Sequence, residues 1–240
     1  MKFYYLLLVP LLIIILNFFL KKFSLLLSYT GESHQRFVEK DSIPLSGGLI
    51  LLLSFLIFFY DFINYLQIYF VIIFLIGFIS DIKLVSSPIK RFILQILLLI
   101  TFVLFENVQI TSTRLIILDQ LLDYKFFSYF FVVFCMMVLI NGTNFIDGLN
   151  TLALGYYLIV SLAIIKSEIL INLNIASSDF FYWVITLFFL FIFNLFKKIF
   201  IGDGGSYLLG LIYSFLLIFA YTANQEISPF FIVLLLWYPC

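Results

Sequence analysis

The residues able to do chemistry in this chain are carboxylates, amides and cations in short polar blocks. Gly202-Asp203-Gly204-Gly205-Ser206 sets a carboxylate among glycines just before an apolar run. Glycines let the backbone approach a ligand closely, and free N–H groups at a helix start attract anions. A carboxylate there would hold a magnesium ion that keeps waters and bridges to phosphate; a plain helix cap accounts for the same residues. Lys197-Lys198 upstream add a phosphate-attracting field. Asn144-Phe145-Ile146-Asp147-Gly148-Leu149-Asn150 spaces three polar side chains three apart. On a helix, Asn144, Asp147 and Asn150 would share one face. Two amides could read a base or sugar and one carboxylate could ligate metal; an Asn-Gly/Asp-Gly turn is the alternative. Asp81 ends an apolar run close to Lys83, Lys90 and Arg91, able to pair with them or to stand as an ordinary boundary charge. Arg91 and Gln95 lie one helical turn apart. Arg36 and Lys40 read as diphosphate contacts or as topology determinants, and His34, the one histidine, as a solvated side chain.

These blocks fall in alternate gaps between apolar runs, so they face one water phase. The runs are Phe3–Leu20, Leu45–Tyr60, Tyr65–Ile79, Phe92–Phe105, Phe126–Ile140, Thr151–Ile165, Phe180–Phe196, Tyr207–Ala220 and Ile227–Cys240. With 65% hydrophobic residues, 11% charge and a mean hydropathy of +1.22, the chain is no ordinary soluble domain. Several runs are shorter than the roughly 20 residues needed to cross a bilayer, but their uncharged flanks can supply the length. The reading is an all-α polytopic membrane bundle of about nine transmembrane helices, forming a single domain over residues 1–240. The first run, with Lys21-Lys22 after it and no small-residue cleavage site, reads as a retained anchor. Nine basic residues (Lys21, Lys22, Arg36, Lys40, Lys83, Lys90, Arg91, Lys197, Lys198) lie in the motif gaps, against four (Lys2, Arg114, Lys125, Lys166) opposite. That bias places the motif face in the cytoplasm and the N-terminus outside. The connection Glu106–Lys125 is expected to form a small hairpin or a helix lying on the outer surface. Cys135 and Cys240, both in apolar runs, read as buried thiols. The 33 Phe and 15 Tyr read as lipid-facing surface. Net charge is zero, and no nucleic-acid partner is expected.

Together the blocks resemble the polyprenyl-phosphate N-acetylhexosamine-1-phosphate transferases of glycosyltransferase family 4, which begin lipid-linked cell-wall, O-antigen and capsule sugars. The family's Pro-x-x-Gly-Gly, Asp-Asp, Asn-x-x-Asp-Gly-x-Asp and Gly-Asp-x-Gly-Ser patterns appear here as Pro44 to Gly48, Ser80-Asp81, Asn144 to Asn150, and Gly202 to Ser206. The resemblance implies transfer of a sugar-1-phosphate from a UDP-sugar to a polyprenyl phosphate at the cytoplasmic face of a bacterial inner membrane, releasing UMP, with Mg2+ as cofactor. It implies Asp203 and Asp147 as metal holders, Asp81 beside the lipid phosphate, and these three as the catalytic set. Asn144, Asn150, Arg91, Arg36, Gly204 and Ser206 are the corresponding substrate-binding set. The three carboxylates are expected to converge on a single metal–diphosphate. A homodimer is allowed. Two positions depart from the pattern: Ser80 stands where the first aspartate is expected and Asn150 where the last is, each removing a negative charge. The chain also stops inside an apolar run at Cys240, without the histidine-rich loop of the family, which reads as C-terminal truncation or a divergent subgroup. A transporter or flippase, or an inactive relative that binds nucleotide-sugar, are the alternative readings.

Overall fold

The computed structural model describes residues 4–29, 42–59, 66–110, 112–148, 151–166, 170, 175–224, 226–229 and 232. Arg36, Asn150, His34 and Lys40 lie outside the described residues, as does most of the last apolar run. Among the described residues nine helices follow in order: α1 (Tyr4–Lys22), α2 (Gly47–Phe58), α3 (Gln67–Asp81), α4 (Pro88–Glu106), α5 (Ile116–Leu122), α6 (Lys125–Asp147), α7 (Leu152–Lys166), α8 (Ser177–Leu195) and α9 (Gly202–Ala223). Between α1 and α2 a short antiparallel ladder pairs β1 (Leu27–Tyr29) with β2 (Ser42–Pro44), Leu27 opposite Pro44. The expected all-helical bundle therefore carries one small strand pair.

Of the nine crossings expected, four among the described residues are long and apolar enough to span a membrane: α4, α6, α8 and α9. Helices α2, α3 and α7 are apolar but shorter. The 22 residues of α9 rise about 33 Å, enough for a hydrocarbon core of about 30 Å. The apolar sequence of α9 wraps the whole helix rather than one stripe, as a helix enclosed by others requires. Every residue from Gly204 to Ile218 is buried, and α2, α3 and α6 pack around it. Phe215 meets Phe70 of α3 and Phe102 of α4 edge to face, at 5.7 and 6.1 Å between ring centroids. Buried hydroxyls make some of the polar contacts between helices. Thr143 of α6 pairs with Tyr157 of α7, and Trp183 of α8 donates to the Tyr213 hydroxyl of α9 at 3.1 Å.

Local sequence sets the helix ends that matter for the site. An extended Ser87 precedes Pro88 at the first position of α4, where the missing N–H costs nothing. A left-handed Asn107 ends the same helix. Contacts between loops divide the bundle into two ends. At one end Asn17 of α1 donates to the Lys198 carbonyl at 3.2 Å, Phe200 donates to the Pro44 carbonyl, and Gly47 donates to the Phe200 carbonyl. At the other, Tyr221 donates to the Ser112 carbonyl at 2.7 Å and Arg114 to the Ile227 carbonyl at 3.3 Å. The Glu106–Lys125 connection forms the short helix α5, as one of the two expected arrangements had it.

Candidate active site

The C-terminus of α3, the N-terminus of α4, the C-terminus of α6 and the N-terminus of α9 meet at the first of these ends. Asp81, the last residue of α3, turns its carboxylate onto the start of α9. Its Oδ1 accepts the Asp203 N–H at 2.8 Å and its Oδ2 the Gly204 N–H at 3.0 Å. A negative side chain at a helix N-terminus satisfies orphan donors and favours the dipole. Sequence reasoning expected those N–H groups to be free for a substrate anion. They are instead committed to Asp81, which lies 122 residues away in the chain. The approach depends on two glycines. Gly202 sits at φ +70, and a Cβ there would lie 2.7 Å from Asp81 Oδ2. Gly77, one turn before Asp81, faces Asp203 so closely that a Cβ would run into its carbonyl.

With its backbone fixed, the Asp203 side chain gathers the remaining partners. Its Oδ1 accepts Asn144 Nδ2 of α6 at 2.8 Å. Its Oδ2 accepts the Ser80 hydroxyl at 2.6 Å and forms an ion pair with Arg91 Nη1. The same Nη1 donates to Ser80 Oγ at 2.7 Å and reaches the Tyr207 hydroxyl at 3.5 Å. Asn144 also donates to Ser206 Oγ at 3.0 Å, and Ser206 donates back to the Asp203 carbonyl at 3.1 Å. The Arg91 and Asp203 side chains are 19% and 27% exposed, so the pair is sheltered yet open to an incoming ligand. Arg91 Nε has no hydrogen-bond partner among the described residues.

Asp147 closes α6 three residues after Asn144, so the helix continues through both as the spacing required. Its half-buried carboxylate lies in the field of Asp203 and Asp81 and accepts no hydrogen bond among the described residues. Like charges in one another's field, one of them without a donor among the described residues, make a position where a cation would be stabilising. No three or more His, Cys, Asp or Glu side chains converge as a metal cage among the described residues. Magnesium needs none: it binds through one or two carboxylates, with waters and substrate phosphate completing its shell. Asp147 and Asp203 are hard oxygen donors that fit this pattern: Asp147 accepts no hydrogen bond among the described residues, and Asp203 Oδ1, with Asn144 as its one donor there, keeps a lone pair, while its Oδ2 is shared by Ser80 and Arg91.

Of the residues expected at the site, the structure brings together Asp81, Arg91, Asn144, Asp203, Gly204 and Ser206, with Asp147 beside them. Gly204 contributes its N–H to Asp81 and packs against Phe74 and Phe78. Lys83 and Lys90 are exposed. Two contributors were missed. Tyr207, four residues after Asp203 on α9, stands on the same helical face and was findable from that spacing. Asn141 donates to the buried Gln95 at 3.0 Å, tying α6 to α4 one turn beneath the site.

The model of glycosyl transferase family 4 matches residues 63–221, a stretch that runs from the start of α3 to the end of α9 and holds every site residue described above. A comparison with curated proteins finds no match. Helices of spanning length and this match together make the chain a membrane protein that belongs to glycosyl transferase family 4, a family of glycosyl-phosphate transferases.

Proposed function

We propose that the protein transfers a sugar-1-phosphate, of the N-acetylhexosamine type, from a UDP-sugar to polyprenyl phosphate at the cytoplasmic face of a bacterial plasma membrane. The observation that carries this reading is the cluster of Asp203, Arg91, Asn144 and Asp147 at one end of an apolar bundle. A water-soluble anionic donor and a lipid-anchored anionic acceptor can both reach such a place. An oxygen of the lipid phosphate bonds to the sugar-linked phosphorus of the UDP-sugar. The bond from that phosphorus to the bridging oxygen breaks, and UMP leaves with that oxygen. Phosphoryl transfer of this kind needs positioning and charge stabilisation more than covalent help from the protein.

Each residue has a role that follows from its contacts. Asp147 and Asp203 would hold Mg2+, which supplies positive charge to the diphosphate oxygens when bound. Arg91, with Nη1 on Asp203 and Ser80, keeps Nε for a phosphate oxygen; an unpaired buried N–H favours a ligand that satisfies it. Asn144 orients Asp203 and Ser206. Asp81 holds the start of α9 in place, and so acts on the reaction through Asp203. Asn150 would contact a base or sugar and Arg36 a diphosphate, the roles their residue types suit.

The test is incorporation of labelled sugar phosphate from a UDP-sugar into extractable lipid, with UMP measured in parallel. Asp203→Asn and Asp147→Asn are expected to lower turnover by about 10²–10³-fold, the usual loss when one electrostatic contact to a developing charge is removed. Turnover unchanged in either variant overturns the role given to that residue. UDP-sugar binding without UMP release in the wild type would mark an inactive relative, and vesicle uptake without UMP release a transporter.

A further inference from the structure

Asp203 is held from two sides. Arg91 of α4 pairs with its Oδ2, and Asn144 of α6 donates to its Oδ1 at 2.8 Å. The start of α4 and the end of α6 lie at the site, so the residues one turn deeper in the bundle are Gln95 and Asn141. Asn141 Nδ2 donates to Gln95 Oε1 at 3.0 Å and to the Met137 carbonyl at 2.9 Å. Asp203, Arg91, Gln95, Asn141 and Asn144 thus close a ring in which every link is a side-chain contact or one turn of helix. Gln95 is 0% exposed, so it reaches no substrate. Its Nε2, turned toward the Tyr207 hydroxyl, makes no hydrogen bond of normal geometry among the described residues. A buried donor without a partner lowers stability, so packing alone is a poor reason for glutamine at this position.

Apolar packing between α4 and α6 is incomplete. A groove of about 440 Å³ parts them on their open side, lined by Phe92, Ile96 and Ile100 from one helix and Phe130, Val133 and Met137 from the other. Side chains that do not interdigitate forfeit the contacts that would hold two helices at one distance. Polar contacts close the groove at its ends instead: Gln95 with Asn141 at the site, and Gln109 with the Tyr129 hydroxyl at 3.2 Å at the far end.

We propose that Gln95 is a positioning residue: through Asn141 it clamps α4 to α6 and so sets the spacing of Arg91 and Asn144 on either side of Asp203. The inference rests on the transferase reading above and assigns Gln95 no contact with substrate. Arg91 and Asn144 must meet one carboxylate from two helices, and a misplacement of about 1 Å in such a constellation can cost about 10²-fold in rate.

The experiment compares full-length wild type, Gln95→Met, Asn141→Leu and the double variant in lipid nanodiscs. Methionine is close to glutamine in volume and removes a donor that is already unsatisfied, so Gln95→Met should unfold within about 3 °C of wild type. Per folded molecule, its kcat should fall about tenfold or more, with either KM changed by about threefold or less. Asn141→Leu should lose a similar factor, and the double variant no more than either single one, because both break the same bond. A second readout needs no turnover. In a chain whose Cys135 and Cys240 are replaced by serine, nitroxide labels on Ile89→Cys and Phe145→Cys, exposed positions at the site ends of α4 and α6, report the distance between the helices by their dipolar coupling. The distance distribution should be broader with Gln95→Met than without it. An unchanged distribution, an unchanged kcat, a loss that disappears once counted per folded molecule, or losses that multiply in the double variant would each overturn the proposal. If the wild type releases no UMP from a UDP-sugar, the transferase reading fails separately, and the distance distribution still decides whether Gln95 clamps the two helices.

Discussion

Ser80 stands between a guanidinium and a carboxylate, accepting from Arg91 at 2.7 Å and donating to Asp203 at 2.6 Å. The sequence pattern made this serine a missing aspartate, a loss of one negative charge from the metal's surroundings. In the folded protein the hydroxyl does something a carboxylate cannot: it donates to Asp203 while accepting from Arg91. Two carboxylates in that relation would repel; Arg91, already in contact with both positions, would offset part of the repulsion and an added cation the rest. Ser80→Asp should therefore make the protein depend on magnesium for stability. Thermal unfolding in EDTA is expected at a lower temperature than wild type, with the difference shrinking as Mg2+ is added. A Ser80→Asp protein equally stable to wild type in EDTA would show that the two side chains do not share one electrostatic environment. Asp81 is a parallel case: nothing in local spacing announces that its partners are two backbone N–H groups more than a hundred residues away.

At the scale of elements, what was legible was whatever periodicity encodes. Asn144 and Asp147 share a face because α6 runs through both, and Gly202 to Ser206 begins a helix as its composition implied. The Glu106–Lys125 connection was legible only as a hairpin or a helix, and it forms the short helix α5. Its anchor was not legible at all. Asp119 accepts from Ser112 Oγ at 2.9 Å, from the Thr113 N–H and hydroxyl at 2.6 Å each, and from the Arg114 N–H at 3.1 Å. The Thr113 hydroxyl and N–H, helped by Ser112 and the Arg114 N–H, hold the Asp119 carboxyl below the usual carboxylate range. A lowered folded-state pKa means that this support is complete above the unfolded aspartate value of about 4. It is lost only as pH falls from there through the lowered value. Proteolysis or amide exchange of residues 112–119 should accordingly stay slow from neutral pH to about pH 4 and quicken below it. Asp119→Asn should remove that acid dependence and show faster exchange already at pH 7. If Asp119→Asn keeps the wild-type acid profile, another group anchors the segment.

Across the whole molecule, one enclosed helix organises everything else. Because α9 is buried from Gly204 to Ile218, its first turn is fixed relative to α2, α3 and α6, and the chemistry at that turn inherits a rigid frame. The end of the bundle that holds the site also holds Lys21, Lys22, Lys83, Lys90, Arg91, Lys197 and Lys198, whereas Arg114 and Lys125 stand toward the other. Positive charge accumulates on the cytoplasmic side of membrane proteins, and the proposed donor, a UDP-sugar, is a cytoplasmic molecule. Charge and the proposed chemistry thus point to the same orientation, which makes it open to a direct test. In a chain whose Cys135 and Cys240 are replaced by serine, Ser86→Cys places a thiol in the exposed α3–α4 loop at the site end. Asp123→Cys places one in the exposed α5–α6 turn at the other. A membrane-impermeant maleimide should label Asp123→Cys in cells whose inner membrane is intact, and Ser86→Cys only after that membrane is permeabilised. The reverse pattern would put the Asp203 cluster outside, away from any supply of nucleotide-sugar. Labelling of both thiols in intact membranes would mean that the two ends of the bundle do not face opposite phases, and the alternation of polar blocks would lose its meaning.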